Sequence, residues 1–119
     1  MAFNFNYESP RVVAEIGCNH MGSMEIAKEL IFLAKEAGAG YVKFQKRNNL
    51  ELLTQEQYDA THPVSENSYG STYGEHREFL EFDVHQNREL KEYCDDLGIV
   101  YSTSVWDVTS AKEMITFEP

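Results

Sequence analysis

The chain has 119 residues, 10 Lys and Arg against 20 Asp and Glu, a net charge of −10, and 42% hydrophobic residues. That length fits one domain, residues 1–119, and the composition is that of an ordinary globular protein rather than a disordered, fibrous or coiled-coil one. The acidic excess argues against non-specific nucleic-acid binding, which depends on cations neutralising phosphates, and no segment approaches the roughly 18 apolar residues of a membrane span.

Residues 1–10 carry neither a basic stretch nor an apolar core, so no signal peptide is expected. Cys18 and Cys94 lie far apart and match no metal or disulfide spacing. A reduced, cytoplasmic setting is therefore the expectation, with no nucleic-acid or membrane partner.

Residues 11–17, RVVAEIG, form a short apolar run ending in glycine and read as a buried strand. After the polar turn CNHMGS, Ser23 is placed to cap a helix that runs to about Gly38. Ala27, Leu30, Ile31, Ala34 and Ala37 recur at helical spacing along it. Residues 41–46, YVKFQK, give a second strand. The connection 47–82 contains ENSYGSTYG, and a connection of this length is unusual in a compact domain and often functional. Helical turns are expected within it near residues 54–60 and 75–80. Asp83 with Gln86 three residues on forms a capping-box variant. The helix it opens carries Leu90, Tyr93, Cys94 and Leu97 inward and stops at Gly98. Residues 99–104, IVYSTS, form a third strand, Asp107 caps a last helix to about Ile115, and ITFEP leads toward a fourth strand. Alternation of this kind implies parallel strands with right-handed crossovers.

Side chains alternate along a strand. Counting along each strand groups Val13 with Glu15 and Gly17, Tyr41 with Lys43 and Gln45, and Ile99 with Tyr101 and Thr103. Each group turns polar toward the strand's C-terminal end, where parallel α/β folds bind ligands. Glu15, Lys43, Gln45 and Thr103 are therefore expected to converge on a site suited to an anionic substrate. Lys43 supplies charge, Gln45 and Thr103 supply hydrogen bonds, and Glu15 acts as a general base or orients a hydroxyl. A buried Glu15–Lys43 ion pair that serves packing alone is the other reading, because buried ions need partners whether or not they do chemistry.

Cys18-Asn19-His20 is too short a pattern to define a metal site, and a hydrogen bond that orders the loop is the expected role of His20. His62, His76 and His85 share no spacing and are expected on loops or helix surfaces. Neither G-x-G-x-x-G nor G-x-x-x-x-G-K-[ST] occurs.

The segment VAEIGCNHMGSMEIAKELIFLAKEAGAGYVKFQKR, continued by ENSYGSTYGEHREFLEFDVHQNRELKEYCDDLGIVYSTS, resembles the sialic acid synthase family. These are the N-acetylneuraminate synthases and their pseudaminic and legionaminic acid relatives. The likeness runs over about residues 11–114, and its specific part is AEIG-x-NH-x-G followed by VK-x-Q about 28 residues after the glutamate. The resemblance implies an α/β fold, the N-terminal part of a (β/α)8 TIM barrel with about three βα units. It implies an enzyme that condenses phosphoenolpyruvate with an N-acetylated hexosamine, or its 6-phosphate, to give a nonulosonic acid, releasing phosphate by C–O cleavage. A divalent metal, usually manganese, is implied as the activator of the sugar aldehyde. By the same resemblance Glu15 stands at the catalytic glutamate, near the metal-bound water and the acceptor sugar. Lys43 and Gln45 stand at residues that hold phosphoenolpyruvate, Thr103 at a threonine that helps bind it, and Asn67 at a sugar-contacting asparagine.

Two departures from the family pattern matter. Where the family reads STP-F, this chain has Ser104, Val105 and Trp106 after Thr103, and loss of the proline is expected to loosen the following loop. A complete barrel needs about 250 residues. The family's metal-ligand histidines, second phosphate-binding lysine and C-terminal antifreeze-like domain have no counterpart in this sequence. No metal is therefore expected to bind tightly to this chain alone. The expectation is a synthase fragment that is inactive by itself. The alternatives are one half of a split synthase completed by another chain, and a non-catalytic phosphometabolite-binding or assembly module that self-associates through open strand edges. An open three-stranded parallel sheet is also expected to leave Val13, Tyr41 and Tyr101 uncovered.

Overall fold

The computed structural model describes residues 9–117. In chain order the elements are β1 (Val13–Gly17), α1 (Met24–Glu36), β2 (Tyr41–Lys46), α2 (Asn49–Leu52), α3 (Gln55–Asp59), α4 (Tyr73–Leu80), α5 (Val84–Leu97), β3 (Val100–Val105) and α6 (Val108–Met114). The three strands form one parallel sheet in the order β1-β2-β3.

Helix boundaries follow local chemistry. The Ser23 hydroxyl accepts the Ile26 N–H at 3.2 Å and starts α1. The capping box at α5 forms in full: Asp83 Oδ1 accepts the Gln86 N–H at 2.8 Å, and Gln86 Oε1 accepts the Asp83 N–H at 2.9 Å. Asp107 Oδ1 accepts the Ser110 N–H and opens α6. Inside the connection 47–82, Thr54 caps α3 and Thr72 caps α4, both near the expected turns. α2 and a 3-10 turn at Ser65–Asn67 are additional. Neither is long enough to display a hydrophobic period that the sequence would reveal. Residues 115–117 turn instead of entering a strand, and the last two residues of ITFEP lie outside the described residues.

Helices α1 and α5 pack side by side on one face of the sheet. Val42 and Phe44 of β2 are buried there with Ile31 of α1 and Leu90 and Cys94 of α5. No described element covers the opposite face, where Val13 and Val100 are each about half exposed. Tyr101 does not belong to that open face. Strand pairing places Tyr101 beside Val42, and paired residues of parallel strands point the same way, so its ring lies under the helices. There it stacks on Phe44 at 5.7 Å and donates its hydroxyl hydrogen to Asn87 Oδ1 at 2.7 Å. No described helix is long and apolar enough to cross a membrane.

Candidate active site

Glu15 pairs with Lys43 in the β1–β2 register, and the Lys43 ammonium lies 3.0 Å from Glu15 Oε2. Both side chains sit on the uncovered face and remain 48% and 40% exposed, so this is not the buried packing pair of the alternative reading. An exposed pair of this kind contributes at most about 1 kcal/mol to stability, and both groups are open to a ligand. Gln45 follows two residues on, on the same face. The β1–β2 register shifts between Glu15 and Gly17, and Gly17 adopts φ +56°. A Cβ at Gly17 would come within 3.3 Å of Glu15 Oε1 and 3.5 Å of Gln45 Nε2. Glycine therefore leaves the space that lets the carboxylate and the amide share one recess.

Thr103 does not join this group. It pairs with Phe44, which is buried under the helices, while Lys43 pairs with Ser102 and Gln45 with Ser104. The bulky Ile99 and Tyr101 belong to the core, and alternation from them carries Thr103 to the helix side. The same alternation leaves Val100, Ser102 and Ser104 on the open face. Thr103 Oγ1 donates to the Ser104 carbonyl at 3.2 Å. Ser102 Oγ donates to the Val42 carbonyl at 2.8 Å, which leaves Ser104 as the freer hydroxyl beside Gln45. Asn67 lies at the end of the exposed 3-10 turn, and its side chain makes no hydrogen bond to Glu15, Lys43, Gln45 or Thr103.

Four further residues gather at the rim. Arg47 Nη2 donates to Gln45 Oε1 at 2.9 Å, and the Arg47 guanidinium lies 3.9 Å over the Trp106 ring. The Cys18 thiol lies 4.0 Å from Gln45 Oε1, and Arg77 Nη2 from α4 lies 3.7 Å from Cys18 Sγ. These residues come from the ends of β1, β2 and β3 and from α4. No spacing in the sequence links them.

His20 is buried, stacks on Phe82 at 4.0 Å, and accepts the Gly22 N–H on Nδ1 at 3.0 Å. It orders the loop after β1, as expected. Burial pushes its pKa down to about 4, so it is neutral near pH 7. His62 and His76 likewise accept backbone N–H groups on Nδ1, from Val64 and Tyr69. Among the described residues no three His, Cys, Asp or Glu side chains meet as donors for a metal. Glu15 faces an ammonium, and these three imidazoles have Nδ1 committed. The donors among the described residues do not by themselves fit a divalent cation.

Residues 30–119 match the NeuB family. The chain is 40% identical over 103 residues to N-acetylneuraminate-9-phosphate synthase of Drosophila melanogaster, an alignment covering 87% of this chain and 27% of that protein. It is 43% identical over 96 residues to the Homo sapiens enzyme of the same name, covering 81% and 26%. Against N,N'-diacetyllegionaminic acid synthase of Legionella pneumophila it is 32% identical over 105 residues, covering 88% and 30%. The chain thus spans about a quarter to a third of the length of these curated relatives. Among solved structures, it is similar in fold to an N-acetylneuraminic acid (sialic acid) synthetase from Leptospira borgpetersenii. That likeness has a TM-score of 0.66 at 24% identity and covers 87% of this chain and 32% of the other. The three βα units correspond to part of a TIM barrel.

Proposed function

The chain belongs to the NeuB family, and from that premise we propose that it forms the Glu15–Lys43 side of a sialic acid synthase-like active site. The reaction condenses phosphoenolpyruvate with an N-acetylated hexosamine, gives a nonulosonic acid, and releases phosphate by C–O cleavage. The observation that carries this reading is the Glu15, Lys43 and Gln45 group at the C-terminal end of parallel strands, on a face open to ligand. Lys43 exchanges its carboxylate partner for the anionic phosphoenolpyruvate. Gln45 orients the bound molecule through its amide, and the Ser104 hydroxyl serves the same recess in place of Thr103. Glu15, released from Lys43, accepts a proton or a hydrogen bond from an acceptor hydroxyl. The exposed Asn67 amide contacts the sugar from the loop. The relatives at 40% and 43% identity are named for a 9-phosphate product, which supports a phosphorylated hexosamine as acceptor.

A divalent metal, when bound, supplies Lewis-acid activation of the sugar aldehyde, and it needs donors beyond those that meet among the described residues. A cytoplasmic setting fits the two free cysteines, Cys18 and Cys94.

Phosphate release from phosphoenolpyruvate tests the proposal, with N-acetylmannosamine or its 6-phosphate as acceptor and manganese present. The chain is assayed alone and mixed with a polypeptide that supplies the rest of the human relative's barrel. Turnover is expected only in the mixture, with a loss of on the order of 100-fold in Glu15→Gln and Lys43→Met, as for groups that act on the reacting molecules. Wild-type rates in both variants would overturn the assignment of the site. Turnover by the chain alone would overturn the need for a complement.

A further inference from the structure

We propose that Arg47 and Arg77 form a binding pocket for a phosphate monoester at the rim of the Glu15–Lys43 recess, with Gln45 and Cys18 between them and Trp106 as the floor under Arg47. The inference deepens the proposed function and rests on it for the identity of the phosphorylated molecule. The pocket itself rests on geometry.

A short chain of contacts joins the two guanidinium groups: Arg47 to Gln45 Oε1, the Cys18 thiol to the same oxygen, and Arg77 to Cys18 Sγ. Partial burial disfavours the charge on Arg47, the nearby charge of Arg77 adds to that, and Glu81 opposes it. Like charges held together need a reason in a protein that carries a net charge of −10.

The nearest carboxylate, Glu81, supplies it only in part. Glu15 is paired with Lys43, and Glu113 with Lys46 at 3.4 Å. Glu81 feels both guanidinium charges, but its Oε1 accepts the Arg47 backbone N–H at 2.9 Å and lies 3.7 Å from Lys46. Neither Arg47 nor Arg77 has a carboxylate in ion-pair contact among the described residues. The Nε atoms of both arginines, like Glu81 Oε2, are buried with no hydrogen-bond partner, and a buried polar atom left unpaired is costly.

A dianion resolves the pairing of the two charges. A phosphate monoester matches two guanidinium charges and offers several acceptor oxygens to their planar forks, whereas a carboxylate neutralises only one. Trp106, one of the residues that depart from the family's STP-F pattern, holds the Arg47 plane at 3.9 Å. Both phosphoenolpyruvate and a hexosamine 6-phosphate carry the required group.

Titration of the 119-residue chain, followed by 31P line broadening and by calorimetry, tests the pocket. The probes are inorganic phosphate, phosphoenolpyruvate, N-acetylmannosamine 6-phosphate and N-acetylmannosamine. Circular dichroism before each titration establishes that the protein and its variants are folded. The three phosphorylated probes are expected to bind, the unphosphorylated sugar is not, and the tightest phosphorylated probe identifies the substrate that the pocket serves. Arg77→Gln and Arg47→Gln each weaken binding at least 10-fold, Arg77→Lys retains part of it, and Lys91→Gln, in a distant exposed ion pair, changes nothing. Unchanged affinity in folded Arg77→Gln, or no binding by any phosphorylated probe to the folded chain, would overturn the pocket. Neither result touches the turnover test of Glu15 and Lys43. Conversely, binding that is lost in the arginine variants while the complemented mixture never turns over retains the pocket and removes the synthase reading.

Discussion

Burial of a single imidazole makes stability depend on pH. His20 is packed against Phe82 and Phe44 and spends its Nδ1 lone pair on the Gly22 N–H. Its pKa is about 4 in the folded chain against an ordinary value of 6.5. The unfolded chain therefore binds the proton more readily. The stability associated with neutral His20 is complete above about pH 6.5 and is lost as the pH falls from there through about 4. The loss from this group is about 3 kcal/mol, from 1.36 kcal/mol per pH unit of difference. Urea midpoints measured from pH 7 to pH 4.5 for the wild type and for His20→Gln check this. The wild type is expected to lose stability faster on the acid side, and parallel curves would remove the role given to burial.

The element scale is governed by how the loop after β1 meets α4. Gly22 has φ +74°, and a Cβ there would overlap the carbonyl oxygen of Phe79 near the end of α4. That approach carries the β1 loop to the helix that bears Arg77, and so brings Arg77 to Cys18. Gly22→Ala combines a left-handed backbone, which costs a side-chain-bearing residue roughly 1–2 kcal/mol, with the overlap itself. A total loss of about 2 kcal/mol or more is expected in urea melting, together with weaker phosphate binding because Arg77 is displaced. Wild-type stability in this variant would mean that the loop and α4 do not pack this closely.

At the scale of the whole molecule, the dominant fact is a sheet covered on one side. The radius of gyration is 17.0 Å, against about 13 Å for a compact domain of this length. β1 and β3 are both edge strands, and Val13 and Val100 lie exposed on the open face. Parallel sheets are normally covered on both faces, and bare edges recruit other chains. In isolation the chain is expected to bind a hydrophobic dye before unfolding, to melt over a broad urea range, and to gain stability with concentration. A sharp, concentration-independent transition of a monomer without dye binding would contradict this. The same openness leaves Glu15 and Lys43 exposed.

Much of the fold follows from the sequence because it depends on neighbours in the chain. Ser23, Asp83 with Gln86, and Asp107 cap their helices through bonds that span three residues, and β2 coincides with its apolar and polar alternation. Glu15, Lys43 and Gln45 also follow, since alternation within each strand and parallel pairing leave them on one face. The lateral pairing of β3 is a different matter, because it depends on which bulky residues fill the space under α5. Ile99 and Tyr101 take that space, and Thr103 follows them away from the recess while Ser104 turns toward it. The Arg47–Arg77 pair is likewise absent from any local pattern. Its members are brought together only when α4 folds back over the strand ends, and the electrostatic consequence exists only in the tertiary structure.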